Sequence, residues 1–262
     1  MKRGFWFLMF CLTTTATAAG QSGWSAKVHG NAFVSYMHQN TARRAERVRG
    51  IGWAMAEATR SGDQTTFGVR GMLSFDPVTL GDCGYPRILA NAGLCNDAPF
   101  EDRSDTHPLI MDASAHIARR VASLTLSLRA GLAGDPALGP TSYMHRGSAK
   151  LDPVVPLSHH ALNPVHVANG FVTAAATKGR ASLELSAFNG SATHDDNDYD
   201  LDLAPLHAWS ARLGWNLGAL TNVQVSAGLT EPHGAHVLHV GPDEKLQVYN
   251  ESIETMRMRG TT

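Results

Sequence analysis

The chain has 262 residues, a formal net charge of −1 and 43% apolar residues, with 25 glycines and 12 prolines. A near-neutral charge without a basic stripe excludes a nucleic-acid-binding surface. After the first twenty residues no stretch approaches about 18 uninterrupted apolar residues, which excludes a membrane-spanning helix.

The first element reads as a secretory signal over residues 1–19. Lys2 and Arg3 supply the positive region, Phe5 to Leu12 the apolar core, and Ala16-Thr17-Ala18 or Thr17-Ala18-Ala19 the small-x-small cleavage site. Cys11 lies inside the apolar core behind Phe10, which does not suit a lipoprotein anchor.

A series of alternating segments follows. Period-two alternation places successive side chains on opposite faces of a strand, so each segment predicts a sheet with one apolar and one polar side. The first strand is Val28 to His38, with Val28, Ala32, Val34 and Tyr36 on one face. The second is Val48 to Arg60, where Ile51, Trp53 and Met55 alternate with Gly50, Gly52, Ala54 and Ala56. Ser61 to Gln64 makes a turn into the third, Thr65 to Phe75, in which Phe67, Val69 and Leu73 oppose Gly68, Arg70 and Ser74. A long loop then holds Cys83 and Cys95. The fourth strand, Leu109 to Ile117, sets Leu109, Met111, Ala113, Ala115 and Ile117 against Asp112, Ser114 and His116. The fifth, Val121 to Leu132, is the clearest: Leu124, Leu126, Leu128, Ala130 and Leu132 face away from Ser123, Thr125, Ser127, Arg129 and Gly131. A proline-rich loop runs from Gly134 to Pro164. The sixth strand, Val165 to Thr177, turns through Lys178-Gly179-Arg180 into the seventh, Ala181 to Asn189. An aspartate-rich loop precedes the eighth, Leu206 to Leu217, and the ninth is Thr221 to Thr230.

Short turns join strands 2–3, 4–5, 6–7 and 8–9, and long loops join 3–4, 5–6 and 7–8. This is the layout of an outer-membrane barrel, with short turns in the periplasm and long loops outside. The fold class predicted is therefore all-β, an antiparallel up-and-down transmembrane β-barrel over residues 20–230, followed by a polar tail over 231–262. Phe75, Phe188, Trp209, Trp215 and Tyr36 near strand ends suit aromatic girdles, or equally core positions. Arg70, Glu184 and Arg212 fall mid-strand on polar faces and are the predicted lumen-facing charges; a charge facing lipid would cost about 2–4 kcal/mol.

Nine strands is an odd count, whereas single-chain bacterial barrels have an even one. The tail carries a faint helical spacing at Leu246, Tyr249 and Ile253 and does not finish on an aromatic-ended strand. The expectation is a barrel lacking several C-terminal strands, which would leave sheet edges that lipid does not tolerate.

Three stretches carry a resemblance: Asp152 to His160 running on to His166, Leu183 to Gly190, and Leu201 to Trp215. Together they resemble a family of largely uncharacterised, porin-like proteobacterial outer-membrane β-barrels, usually longer than this chain. The resemblance covers residues 24–230. It implies a barrel fold and brings no substrate or catalytic residues.

Candidate sites are few. Cys83 and Cys95, an even pair in an oxidising compartment, predict a disulfide closing a short loop. His159, His160 and His166, with Asp152, form a candidate transition-metal set, against the plainer reading of a loop packed over the barrel mouth. His233, His236 and His239 offer only a weak tail chelator. The acidic run His194 to Asp202 invites Ca2+ but lacks the full loop pattern, and a solvated loop explains it as well. No Gly-x-Ser-x-Gly, phosphate-loop, Gly-x-Gly-x-x-Gly or His-Glu-x-x-His motif occurs, so the chain is not expected to be an enzyme. The expected function is a passive channel or structural barrel in the outer membrane, with lipid and the barrel-assembly machinery as partners. The alternative is a soluble periplasmic β protein that binds a metal or small ligand through its histidines.

Overall fold

A computed structural model of the chain describes residues 5–19, 23–39, 45–79, 85–86, 94–95, 98–99, 101–102, 107–146, 150–151, 165–190, 201, 203, 205–218, 221–230 and 246–255. The protein is all-β. Eleven main strands form one sheet: β1 (Phe5–Ala19), β2 (Trp24–Gln39), β3 (Ala45–Ser61), β4 (Thr65–Ser74), β5 (Ile110–Val121), β6 (Leu124–Gly134), β7 (Ala168–Lys178), β8 (Ala181–Phe188), β9 (Ala208–Gly218), β10 (Thr221–Thr230) and β11 (Leu246–Thr255). Each strand pairs with its sequence neighbour, and every pairing is antiparallel. Four two-residue strands lie between β4 and β5. Among the described residues no helix is long and apolar enough to cross a membrane.

All nine strands read from alternation are present, as β2 to β10. Two more flank them. The segment read as a signal pairs along β2 as β1, Ala19 opposite Ser25 and Phe5 opposite Gln39. The tail segment read as faintly helical is instead strand β11, with Thr221 opposite Thr255. Three apolar residues at helical spacing over ten residues are too weak a signal against an exposed neighbouring strand edge that supplies ladder hydrogen bonds.

The turns at one end are tight. Val121 opposes Leu124 and Lys178 opposes Ala181, so each hairpin has a two-residue loop. Such loops call for left-handed backbone; Gly179 supplies it at φ 59°, and Ala122 adopts it at φ 54°.

The sheet is strongly curled. Gly139 N donates to Ser226 Oγ of β10 at 2.8 Å, while the ring of His145 lies 6.4 Å from that of His29 on β2. Six residues reach at most about 22 Å. In a flat sheet β2 and β10, eight strand steps apart, would lie about 38 Å from each other. Even with the side chains at each end added, the segment would have to be fully extended to cross a flat sheet, and its Tyr143–His145 part is a 3-10 turn, so it touches both flanks of a trough. The sheet stays open, with no ladder joining β1 to β11 among the described residues.

Burial is inverted relative to a water-soluble sandwich. Leu126, Leu128, Leu183, Leu185, Leu213, Trp209, Trp215 and Val225 stand on the convex face with roughly half their surface open. Asn31, Ser186, Ser210, Gln224 and Ser226 are buried on the concave face. Two departures from simple alternation matter. A bulge between Met72/Leu73 and their partners makes Met111 the extra residue, so it turns inward, away from the face it would share with Ala113 and Ala115. Phe188, a candidate girdle residue, is fully buried on the concave side with Leu138, Val165, Ala168, Phe171 and Ala208.

Candidate functional site

The site is the concave wall and the stretch folded onto it. The loop after β6 was expected to face outward with the other long loops. Its described part instead enters the trough, and Pro136, Ala137, Leu138, Gly139 and Pro140 are buried. The prolines and glycine leave this segment without its own ladder, so its backbone polar groups need other partners. The wall provides them. Ala137 N donates to Ser186 Oγ and Gly139 N to Ser226 Oγ, each at 2.8 Å. Gly139 O accepts from Arg212 Nη1 at 3.2 Å and Gln224 Nε2 at 3.1 Å. Further along, Asn31 Nδ2 donates to Lys150 O at 2.7 Å. Strands β2, β8, β9 and β10 thus hold one loop from both sides.

Two charged groups line the wall beneath it. Arg212 Nε donates to Glu184 Oε2 at 2.6 Å, these two residues being directly opposed across β8 and β9. Asp112 Oδ2 accepts from Arg70 Nε at 3.0 Å and from Arg129 Nη2, while its Oδ1 accepts from Ser114 Oγ. Arg129 is also placed over the Phe171 ring, 4.8 Å from its centroid. That ring lies against Gly131, where a Cβ would fall 2.9 Å from it and 2.6 Å from Ala113 O, so only glycine admits the arrangement. The three predicted lumen charges, Arg70, Glu184 and Arg212, therefore share the concave face. Arg129 and Asp112 belong with them; alternation had already put both on polar faces.

Asp135 opens the inward stretch. Its Oδ2 accepts from Ser142 Oγ at 3.3 Å, while Oδ1 is shut off from water without a hydrogen-bond partner among the described residues. Burial raises its pKa to about 7 against the opposing pull of Arg212, Arg129 and Arg70. His145 is exposed by surface area, yet desolvation first, then the positive charge of Arg70, holds it down at about 4.

The remaining candidates separate. His166 is buried with its ring 5.0 Å from that of His107, whose Nδ1 lies 2.8 Å from Asp76 Oδ2. Asp152, His159 and His160 lie outside the described residues, as do Cys83, His194 to Asp200, Asp202 and the tail histidines. Cys95 sits in a two-residue strand opposite Ala98. Among the described residues no three His, Cys, Asp or Glu side chains group as a metal site.

The fold and wall define an open, curled antiparallel β-sheet with an apolar exterior and a loop-filled polar interior. Comparison with family models, with curated proteins and with solved structures finds no match to this chain.

Proposed function

We propose that the protein is an exported outer-membrane β-barrel whose interior is occluded by the β6–β7 loop, acting as a structural barrel or a restricted passive channel without catalysis. The observation that carries this reading is the inverted burial. A row of leucine, valine and tryptophan side chains left half-open on the convex face would be a liability in water, where contiguous apolar patches beyond a few hundred Å² mark an interaction surface. In lipid the same row is the required exterior, and serine, asparagine and arginine belong inside.

Strand parity supports closure once the signal is removed. Eleven antiparallel strands place the first and last in the same direction, so β1 and β11 would have to close in parallel. Without β1, the ten strands β2–β11 are even in number and bring antiparallel edges together, as in bacterial single-chain barrels. Closure removes the edges that lipid does not tolerate. The other long loops then face the cell exterior, and lipid and the assembly machinery are the partners.

Fluorescence quenching by brominated lipids tests the face assignment. In single-tryptophan variants reconstituted into such vesicles, Trp215 is quenched strongly and Trp53 is not. Equal quenching of both, or recovery of the chain as a soluble protein, would refute the reading.

A further inference from the structure

We propose that Met55, Met72, Met111 and Met144, together with the imidazoles of His29 and His145, form an interior binding site for a soft monovalent cation of the Cu(I) or Ag(I) class. The four methionines come from four elements: β3, β4, the β5 bulge and the inward loop. They are buried at 6%, 3%, 3% and 3% exposure and pack in one cluster with Trp53 and Val167. Met55 and Met72 are directly opposed across β3 and β4, and the bulge that turns Met111 inward adds a third thioether to the same patch.

Buried methionine is ordinarily a gap filler. Unlike the concave-side cluster around Phe188, which is built of leucine, valine, alanine and phenylalanine, this one holds four thioethers without a leucine. Imidazoles edge it. The rings of His29 and His145 each lie 5.4 Å from that of Trp53 and 6.4 Å from one another. Two imidazoles sharing one ion at metal–nitrogen distances of about 2 Å stand about 6 Å apart between centroids. His29 Nδ1 is buried and takes no hydrogen bond among the described residues.

Thioether and imidazole ligands select soft cations over Ca2+ or Mg2+. The Trp53 face adds cation–π attraction for a monovalent ion. The site uses none of the candidate residues Asp152, His159, His160 and His166 and does not depend on whether the barrel closes.

The test is Cu(I) competition against a chromogenic chelator, with the purified full chain in detergent and its cysteine thiols alkylated. One equivalent binds. The combined Met55→Leu, Met72→Leu, Met111→Leu and Met144→Leu variant, near-isosteric and checked for its β circular dichroism, loses at least 100-fold in affinity. Met144→Leu alone loses about 10-fold and serves if the combined variant does not fold. His159→Ala with His160→Ala leaves affinity unchanged. X-ray absorption of the loaded protein shows copper–sulfur scattering. Undiminished affinity in the leucine variants, loss on thiol alkylation alone, or a copper shell of nitrogen and oxygen only would overturn the proposal.

Discussion

Asp135 and His145 stand near the two ends of one inward stretch and titrate in opposite senses. With its pKa raised to about 7, native Asp135 keeps a proton that the unfolded chain releases above about pH 4, so its contribution to stability falls as pH rises from 4 to 7. With its pKa near 4, native His145 stays neutral where the unfolded chain is protonated, so its contribution rises with pH between 4 and 6.5. The two slopes oppose each other in the intact protein. Asp135→Asn should therefore gain thermal midpoint relative to the parent as pH rises from 4.5 to 7, and His145→Gln should lose it, both followed by circular dichroism in detergent. Two flat difference curves would contradict this account of the loop. Asp112 allows a second prediction at this scale. It is 7% exposed and serves two arginines that keep about a quarter of their side chains accessible. Asp112→Ala leaves both cations without it and costs about 3 kcal/mol, at the low end for breaking a buried pair because of that accessibility. A loss under 1 kcal/mol in chemical unfolding would show that solvent already screens the cluster. That Asp112, Arg129, Arg70, Glu184 and Arg212 lie on the polar faces of their strands was legible from alternation alone. Met111 was not, because a bulge shifts parity without leaving a mark in the sequence.

Among elements, β6 and the loop after it carry the main contrast. On β6 alternation was strict enough to give both faces, and Leu126 stands 45% exposed on the convex side. If that side meets lipid, Leu126→Arg costs about 2–4 kcal/mol and blocks membrane assembly, whereas Leu126→Phe assembles normally. Fractionation of cells expressing each variant distinguishes them; equal assembly would remove the lipid contact. The loop was legible only as a loop. Its prolines mark the break in the ladder, but nothing in Asp135 to His145 announces that the serines of β8 and β10 will receive its backbone. That depends on distant strands meeting across the trough. Replacing Ala137 to His145 with a short Gly-Ser linker removes Leu138, which is fully buried, from its seat. The expected result is at least a several-fold rise in planar-bilayer conductance; an unchanged conductance would mean that the segment does not block the interior.

For the whole molecule, the all-β antiparallel class and the nine strands followed from periodicity because each strand, apart from local bulges, has one consistent face. The two outer strands did not. Phe5 to Leu12 is uniformly apolar and Leu246 to Thr255 mostly polar, so neither shows the alternation that identifies a half-buried strand. Closure cannot be read from local pattern at all, since it pairs segments from opposite ends of the chain, and parity is the physical constraint that speaks to it. The central claim is that this curled sheet, freed of β1, closes in a membrane. The most direct test is gel mobility with and without boiling, run on the outer-membrane fraction of cells expressing the chain with its signal intact. The account predicts a processed band in that fraction whose mobility shifts on heating. A soluble periplasmic band, or a membrane band indifferent to boiling, would contradict it.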